Sequence, residues 1–261
     1  MRFCHFLPET KPQGNAKVCY GLLEGGTVRE IEGMPWREWM AGNRTWPAKE
    51  CRFLAPVEPS KIVCVGRNYA AHAAEFGNEV PKEPLIFLKP PSSIVGPEEP
   101  IVLTGYSDRI EHEGELGVVI GKKCAHLGDD DDPLSYVLGY TCVNDVTARD
   151  LQKSDVQFTR AKGFDTFCPV GPHIETQLDP RNVLVETYVN GARRQSGSTS
   201  LMVYPVALLV RWISRMMTLF PGDLIASGTA AGVGPIVAGD TVEVSVAGIG
   251  VLRNPVHPPH S

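Results

Sequence analysis

The densest chemistry in this chain lies in one short run, Ile110-Glu111-His112-Glu113-Gly114-Glu115-Leu116-Gly117. Alternate side chains of an extended strand share a face, so Glu111, Glu113 and Glu115 are expected to point the same way. Carboxylates held side by side repel one another unless water or a cation separates them. Two readings are open from this run alone: a solvated acidic stripe at a strand end, or part of a cation site. Asp145 follows the apolar run Tyr140–Val143 and supplies a further acid. Two carboxylates from one strand and a third from elsewhere make a donor set suited to a hard divalent cation. The seven histidines show no HxH or HExxH spacing, which makes zinc the weaker choice.

A second reactive group lies in Asn68-Tyr69-Ala70-Ala71-His72-Ala73-Ala74-Glu75-Phe76-Gly77. Asn68 as N-cap and Gly77 as C-terminal stop predict a short helix. His72 and Glu75, three residues apart, share a face of it. A carboxylate that orients an imidazole creates a general base, although the same spacing also suits a surface ion pair. Four alanines give such a helix propensity but little anchoring surface, as suits a lid. Lys162 reads either as a snorkelling surface lysine or as a cation facing a developing enolate oxygen. The Gly-rich segment from Ser227 to Gly234 lacks the trailing Lys-Ser/Thr of a phosphate loop. It is expected to offer backbone N–H groups and the Thr229 hydroxyl to a carboxylate.

The elements that must position these groups are mostly strands. Gly (26) and Pro (22) punctuate short apolar runs throughout the 261 residues. Strands are expected at Val18–Leu23, Val28–Ile31, Ile62–Val65, Leu85–Leu88, Leu116–Ile120, Thr141–Val143, Val183–Val189, Leu224–Ala226 and Val242–Val246. Asn190-Gly191 is a hairpin turn signal. One long helix fits Pro205–Met217, with Leu208, Leu209, Trp212 and Met216 on one face. A shorter one is expected around Trp36–Met40, and Pro56–Pro59 reads as a linker. The run Asp129–Asp132 reads as a solvated loop before a helix at Pro133. The pattern predicts a mainly β fold with some α, largely antiparallel, with a small N-terminal α+β unit over 1–56 and a larger unit over 57–261.

Composition narrows the function classes. The net charge of −5, with both signs interspersed, argues against nucleic acid and against an anionic membrane as partners. No stretch approaches the ~20 apolar residues needed to span a bilayer. No signal peptide is read at the N-terminus, and seven scattered cysteines without a CxxC fit reduced thiols, so a cytoplasmic enzyme is expected.

In this order, the motifs resemble the fumarylacetoacetate hydrolase family. The resemblance joins Gly66-Arg67-Asn68-Tyr69 with His72 and Glu75, Phe87-Leu88-Lys89-Pro90, Glu113-x-Glu115-Leu116, Asn144-Asp145 with Arg149-Asp150-x-Gln152, Lys162-Gly163-Phe164-Asp165 with Pro169-x-Gly171-Pro172, and Gly228-Thr229 through Gly234. It implies a mixed β-sandwich roll, commonly a homodimer, with Mg²⁺ or Mn²⁺ held by Glu113, Glu115 and Asp145. Glu111 falls at a nearby acid that is not a principal ligand. The implied catalytic residues are His72, Glu75 and Lys162, and the implied substrate contacts are Arg67, Tyr69, Arg149, Gln152 and Thr229. The implied substrate is a small 2-oxo acid or 1,3-dicarbonyl acid. Hydrolytic C–C cleavage of an acylpyruvate through a metal-chelated enolate is the favoured activity. Isomerisation or decarboxylation of a 2-oxo or 2-hydroxy-diene dicarboxylate in aromatic catabolism is the alternative, and non-catalytic 2-oxo-acid binding ranks below both. Two positions depart from the family pattern: Ala230 stands for a proline, and His112, expected to face away from the two glutamates, stands for a tyrosine.

Overall fold

The computed structural model describes residues 1–9 and 17–259. Its first strands are β1 (Arg2–Pro8), β2 (Cys19–Glu24), β3 (Thr27–Gly33), β4 (Trp39–Pro47) and β5 (Cys51–Leu54). They pair antiparallel, β1 to β2 to β3 to β4, with β5 on β1. The helix expected at Trp36–Met40 does not form. The chain turns at 35–37 and enters β4 at Trp39. Gly33, at φ +103°, breaks the chain there, and the aromatic side chains then find tertiary partners. Trp36 packs edge-on against Tyr20 at 5.4 Å and Trp39 against Phe3 at 5.3 Å. The 56–59 segment is irregular but not loose, because Val57 is buried in the core.

The rest of the chain runs through β6 (Ile62–Gly66), α1 (Ala70–Glu75), β7 (Leu85–Lys89), β8 (Ile94–Val95), β9 (Ile101–Val102), β10 (Ile110–His112) and β11 (Gly114–Ile120). It continues with β12 (Val137–Asn144), β13 (Thr147–Ala148), α2 (Arg149–Ser154), α3 (Thr159–Lys162) and β14 (Cys168–Glu175). The last elements are β15 (Leu184–Val189), β16 (Ala192–Ser198), α4 (Val206–Met216), β17 (Leu224–Thr229), β18 (Gly234–Pro235), β19 (Thr241–Val246) and β20 (Gly250–His257). One large sheet has the order β4-β3-β2-β1-β14-β12-β11-β17-β6-β7. A second has the order β16-β15-β19-β20-β9, and a small third one joins β13, β10 and β18. Pairing is antiparallel except at β14–β8, β17–β6 and β20–β9. This is a mainly β, mixed sandwich roll, as expected from the sequence.

Burial explains why the central strands read as continuous apolar runs. Every residue of β11 and of β17 is buried, which requires cover on both faces. One face packs Leu116 and Val118 against Val244 and Leu252 of the second sheet and against Leu209 and Ile213 of α4. The other packs Val119, Val143 and Leu224 with Phe3, Trp36 and Val57. The expected face of α4 is rotated. Val206, Leu209, Val210 and Ile213 are buried, whereas Leu208 and Met216 are exposed. The apolar arc of this helix is wide, opposite Arg211 and Arg215, and packing centres it on Val206, Leu209, Val210 and Ile213 rather than on Leu208 and Met216. At Asn190-Gly191 a two-residue turn with φ of 53° and 76° closes the β15–β16 hairpin. The Asp129–Asp132 loop leads into a 3₁₀ turn at Pro133–Tyr136, which the Asp132 side chain caps at Leu134 N.

Two expectations about stability follow. A Cβ on Gly117 would lie 2.6 Å from Val143 Cγ2 and 2.9 Å from Thr141 Cγ2. Gly117→Ala should therefore cost about 1–3 kcal/mol in urea unfolding, the usual range for overpacking. His173 on β14 is buried, and desolvation, reinforced by Arg2, pushes its imidazole down from 6.5 to about 4. The folded state thus holds a neutral ring that the unfolded chain would protonate. Stability should be full above pH 6.5 and fall as pH drops from 6.5 towards 4, and His173→Phe should flatten that slope.

Candidate active site and metal centre

The site is built where β11 begins and its antiparallel partner β12 ends. That pairing sets Gly114 opposite Asn144, so Glu113 and Asp145 flank the ladder at the same end. Asn144 Oδ1 accepts the Glu113 N–H at 2.9 Å, and the Asp145 N–H donates to Glu113 O at 2.8 Å. Glu115 sits one step into β11. Ligand atoms of Glu113, Glu115 and Asp145 all lie within 4.8 Å of one another, and all three residues are buried. Glu111 is not on this face. Glu113 lies between two strands rather than within one, which breaks the alternation, and β10 belongs to the small third sheet. The Glu111 carboxylate accepts from Arg109 Nε and Arg149 Nε, both at 2.6 Å.

Three buried cations serve this acidic cluster. Lys162, at the end of α3, donates to Glu113 Oε2 at 2.8 Å and to Asp145 Oδ2. Lys89, at the end of β7, donates to Asp145 Oδ1 at 2.6 Å. Arg149, the first residue of α2, bridges Glu111 to Glu113. Lys162 is therefore neither snorkelling nor at the surface. Burial works against its charge, and Asp145 and Glu113 more than restore it, so it titrates above the ordinary lysine range. Burial likewise opposes the Glu113 charge, but Lys162, Arg149 and His72 hold its carboxyl far below the usual carboxylate range. Glu115 is the exception. Its carboxylate accepts one backbone bond, from Gly228 N at 2.7 Å, and no cationic side chain pairs with it among the described residues. Desolvation, together with Asp145 and Glu113, pushes its pKa well up. A buried carboxylate facing two others requires either a proton or a cation. All-oxygen donors of this kind fit Mg²⁺ or Mn²⁺.

These carboxylates floor a cavity of about 610 Å³ that is also lined by Arg67, His72, Glu75, Arg149, Gln152, Lys162 and Thr229. The helix α1 presents His72, whose Nδ1 lies 3.4 Å from Glu75 Oε2. The ring packs edge-on against Phe76, and Phe76 lies 4.7 Å beneath the Arg149 guanidinium. Asn68 is not the N-cap, a position taken by Tyr69 without a side-chain bond. Asn68 is wholly buried instead and bonds Tyr204 O, Ser227 O and Tyr204 N, which locks the turn into α1. Tyr69 is not among the cavity-lining residues; its ring joins the core. Arg149 Nη1 donates to Gln152 Oε1, which fixes that amide at the cavity wall.

The Gly-rich loop serves the protein's own carboxylates. Gly228 N donates to Glu115, and Gly232 N approaches both Glu75 oxygens at 3.2 and 3.3 Å. The Thr229 hydroxyl donates to Gly114 O at 2.8 Å. Two positioning residues were given no role by the sequence, although Lys89 lies within the motif Phe87-Leu88-Lys89-Pro90. Lys89 occupies the buried side of an apolar strand while Leu88 beside it is exposed, an inversion of the usual pattern. Gln195 on β16 accepts from Gly114 N and pairs with His112 Nδ1, both at 3.0 Å, and donates to Thr229 Oγ1 and Ala230 O at 2.7 Å. His112 does face away from the glutamates, into this network.

With this geometry in place, the comparisons identify the class. The family model for the fumarylacetoacetate (FAA) hydrolase C-terminal domain matches residues 61–257, and the chain belongs to that family. Residues 1–56 match the Rv2993c-like N-terminal model. Among relatives, protein Rv2993c of Mycobacterium tuberculosis is 51% identical over 88% of each chain. Human mitochondrial oxaloacetate tautomerase FAHD2A is 44% identical over 80% of this chain and 71% of its own. The crystal structure of 5-carboxymethyl-2-hydroxymuconate delta-isomerase from Mycobacterium smegmatis is 45% identical, with a TM-score of 0.88 over 99% of this chain and 100% of that one. The chain is thus similar throughout to members of an enzyme family. No helix among the described residues is long and apolar enough to cross a membrane.

The charge balance yields a prediction at Lys89. Lys89→Met removes one of the two cations on buried Asp145, and breaking a buried pair costs about 3–5 kcal/mol at most. In chelator the variant should melt several degrees below the unmodified protein, and calorimetry should show Mg²⁺ or Mn²⁺ raising its midpoint by more. An equal metal response in both proteins would separate Asp145 from cation binding.

Proposed function

We propose that this protein is a Mg²⁺- or Mn²⁺-dependent enzyme that interconverts keto and enol forms of a small 2-oxo acid. The observation that carries this reading is one cavity lined by the clustered carboxylates Glu113, Glu115 and Asp145 and by a histidine paired with a carboxylate. A cation held by the three carboxylates would act as a Lewis acid on the 2-oxo group and acidify the neighbouring carbon. With Nδ1 directed at Glu75, His72 presents Nε2 to the cavity and moves the proton between C3 and oxygen. Glu75 keeps the ring in that tautomer, and Gly232 N keeps Glu75 in place. Lys162 and Arg149 hold the Glu113 carboxylate ionised and fixed, so it needs no reorganisation when charge develops. The names of two relatives, a tautomerase and an isomerase, support proton transfer ahead of C–C hydrolysis.

Hydrolysis of an acylpyruvate is the second reading, favoured by the same His72–Glu75 pair, which is suited to deprotonating a water. A cytoplasmic homodimer belongs to the same proposal: the dimer rests on the family resemblance, and the location on the scattered, unpaired cysteines. The test is to follow the enol absorbance of oxaloacetate and of a 2-hydroxy-diene acid, with pyruvate release from acetylpyruvate measured in parallel. Cation-dependent loss of enol without pyruvate is expected. His72→Ala should lower kcat by about 10²–10⁴-fold, the usual contribution of a general base. Near-normal turnover in that variant would remove His72 from the chemistry, and rapid pyruvate release would move the activity to hydrolysis.

A further inference from the structure

A second cavity, of about 370 Å³, lies apart from the acidic one and shares no lining residue with it. His5 and Leu54 on its wall belong to the stretch matched by the N-terminal model, and Pro91, Ile94 and Val95 to the hydrolase-family stretch. Glu58 lies on the segment that joins the two. Pairing of β1 with β2 and β5 sets His5 opposite Tyr20 and Leu54. Its ring stacks on Tyr20 at 4.3 Å, and the residue is only 8% exposed. Apart from His5, Glu58 and Glu99, the lining is apolar or glycine, and the volume suits a small molecule.

The polar groups of this cavity do not satisfy one another. His5 Nδ1 lies 3.0 Å from Ala55 O. A carbonyl only accepts, so the proton of the neutral ring sits on Nδ1 and Nε2 is left as an acceptor. Burial lowers the imidazole pKa below its ordinary value, although Ala55 O and Glu58 oppose this, so the ring is neutral at neutral pH. Nε2 faces Glu58 Oε1 at 3.9 Å, which is another acceptor and beyond hydrogen-bond reach. Among the described residues no cationic side chain pairs with Glu58. Glu99 differs, because Arg52 Nη2 and Gly96 N both donate to it at 2.7 Å. The Tyr20 hydroxyl, on the residue stacked against His5, is also buried without a partner among the described residues. Two acceptors 3.9 Å apart with no donor between them call for a donor from outside, and one nitrogen can stand about 2.8–3.0 Å from both. The unneutralised charge of Glu58 favours a cationic donor and repels acids.

We infer that this cavity is a second binding site, for a small primary amine with an apolar body, whose ammonium group donates to His5 Nε2 and Glu58 together. The hydrocarbon or aromatic part packs among Leu54, Val57, Pro91, Ile94 and Val95, where burial supplies affinity and the two acceptors supply orientation. The site is independent of the reaction at the carboxylate cluster.

The test compares amines with alcohols of matching shape: benzylamine with benzyl alcohol, phenethylamine with 2-phenylethanol, and tryptamine with tryptophol. Binding to the full chain in the presence of Mg²⁺ is measured by calorimetry, and the ring nitrogens of His5 are followed by NMR. At least one amine should bind about tenfold or more tighter than its alcohol, the scale of one charge-assisted hydrogen bond. Its addition should shift the Nε2 resonance and leave Nδ1 protonated. Glu58→Gln, at an exposed position, removes the charge and should reduce the preference to about threefold or less. His5→Asn keeps a donor for Ala55 O and removes Nε2, and should weaken the amine by about tenfold. If His5→Asn does not fold, Glu58→Gln keeps the test valid. Absence of a preference in every pair would overturn the inference and leave water as the donor. A preference that survives Glu58→Gln would also overturn it, because the amine then binds elsewhere. Zn²⁺ added alone is the last arm: Zn²⁺ affinity lost in both variants, with no amine preference, would make the pair a metal site instead.

Discussion

The whole architecture answers one electrostatic problem: four carboxylates brought out of water at the junction of β10, β11 and β12. Desolvating a single unpaired carboxylate costs several kcal/mol, and neighbouring like charges add to that. The fold meets three of the four with Lys89, Lys162 and Arg149, drawn from three separate elements. Glu115 is left with a backbone N–H alone. Much of the surrounding chain exists to deliver those cations to a place where apolar packing alone would never put them. The imbalance that remains is one that a proton or a bound cation would meet.

A second constraint concerns the loop after β17. Its backbone reaches Glu115 at one end and Glu75 at the other, and Gln195 clamps its middle to the start of β11. The helix that carries His72 and the acidic floor are therefore tied to one short piece of backbone. Only two residues of α1, His72 and Ala73, are buried, so Glu75 and its loop contact carry much of the helix's attachment. Movement of α1 and geometry at Glu115 are mechanically linked through residues 228–232.

The sequence disclosed the parts of this site whose signals are local. Glu113 and Glu115 are two apart, Asp145 ends an apolar strand, and His72 and Glu75 share a helical turn. The strands β11, β17 and β19 announced themselves as apolar or alternating runs. What escaped were contacts across long separations. Asn68 looks like a helix cap, yet its amide serves carbonyls far along the chain. Gln195 sits in a largely exposed edge strand with two arginines and gives no local sign of its four hydrogen bonds. Glu111 was expected beside its neighbours because alternation assumes an unbroken strand, and the chain breaks at Glu113. The region around Trp36 favoured a helix by composition and became a turn and strand because its tryptophans had partners on β1 and β2.

The strand order carries a consequence for how the molecule comes to exist. Strand β17 lies between β6 and β11, both of which are synthesised before it, and it pairs in parallel with one and antiparallel with the other. Until residues 224–229 leave the ribosome, the emerging chain carries a slot in the middle of its main sheet, with two apolar strands presenting unpaired edges. The last turn of backbone needed at Glu115 arrives with the same segment. Completion of the main sheet therefore waits on residues 224–229 and is dominated by distant pairings, which fold slowly and expose sticky intermediates to neighbouring chains. The exposure of those two edges before β17 arrives is set by the strand order, independently of how stable the finished protein is.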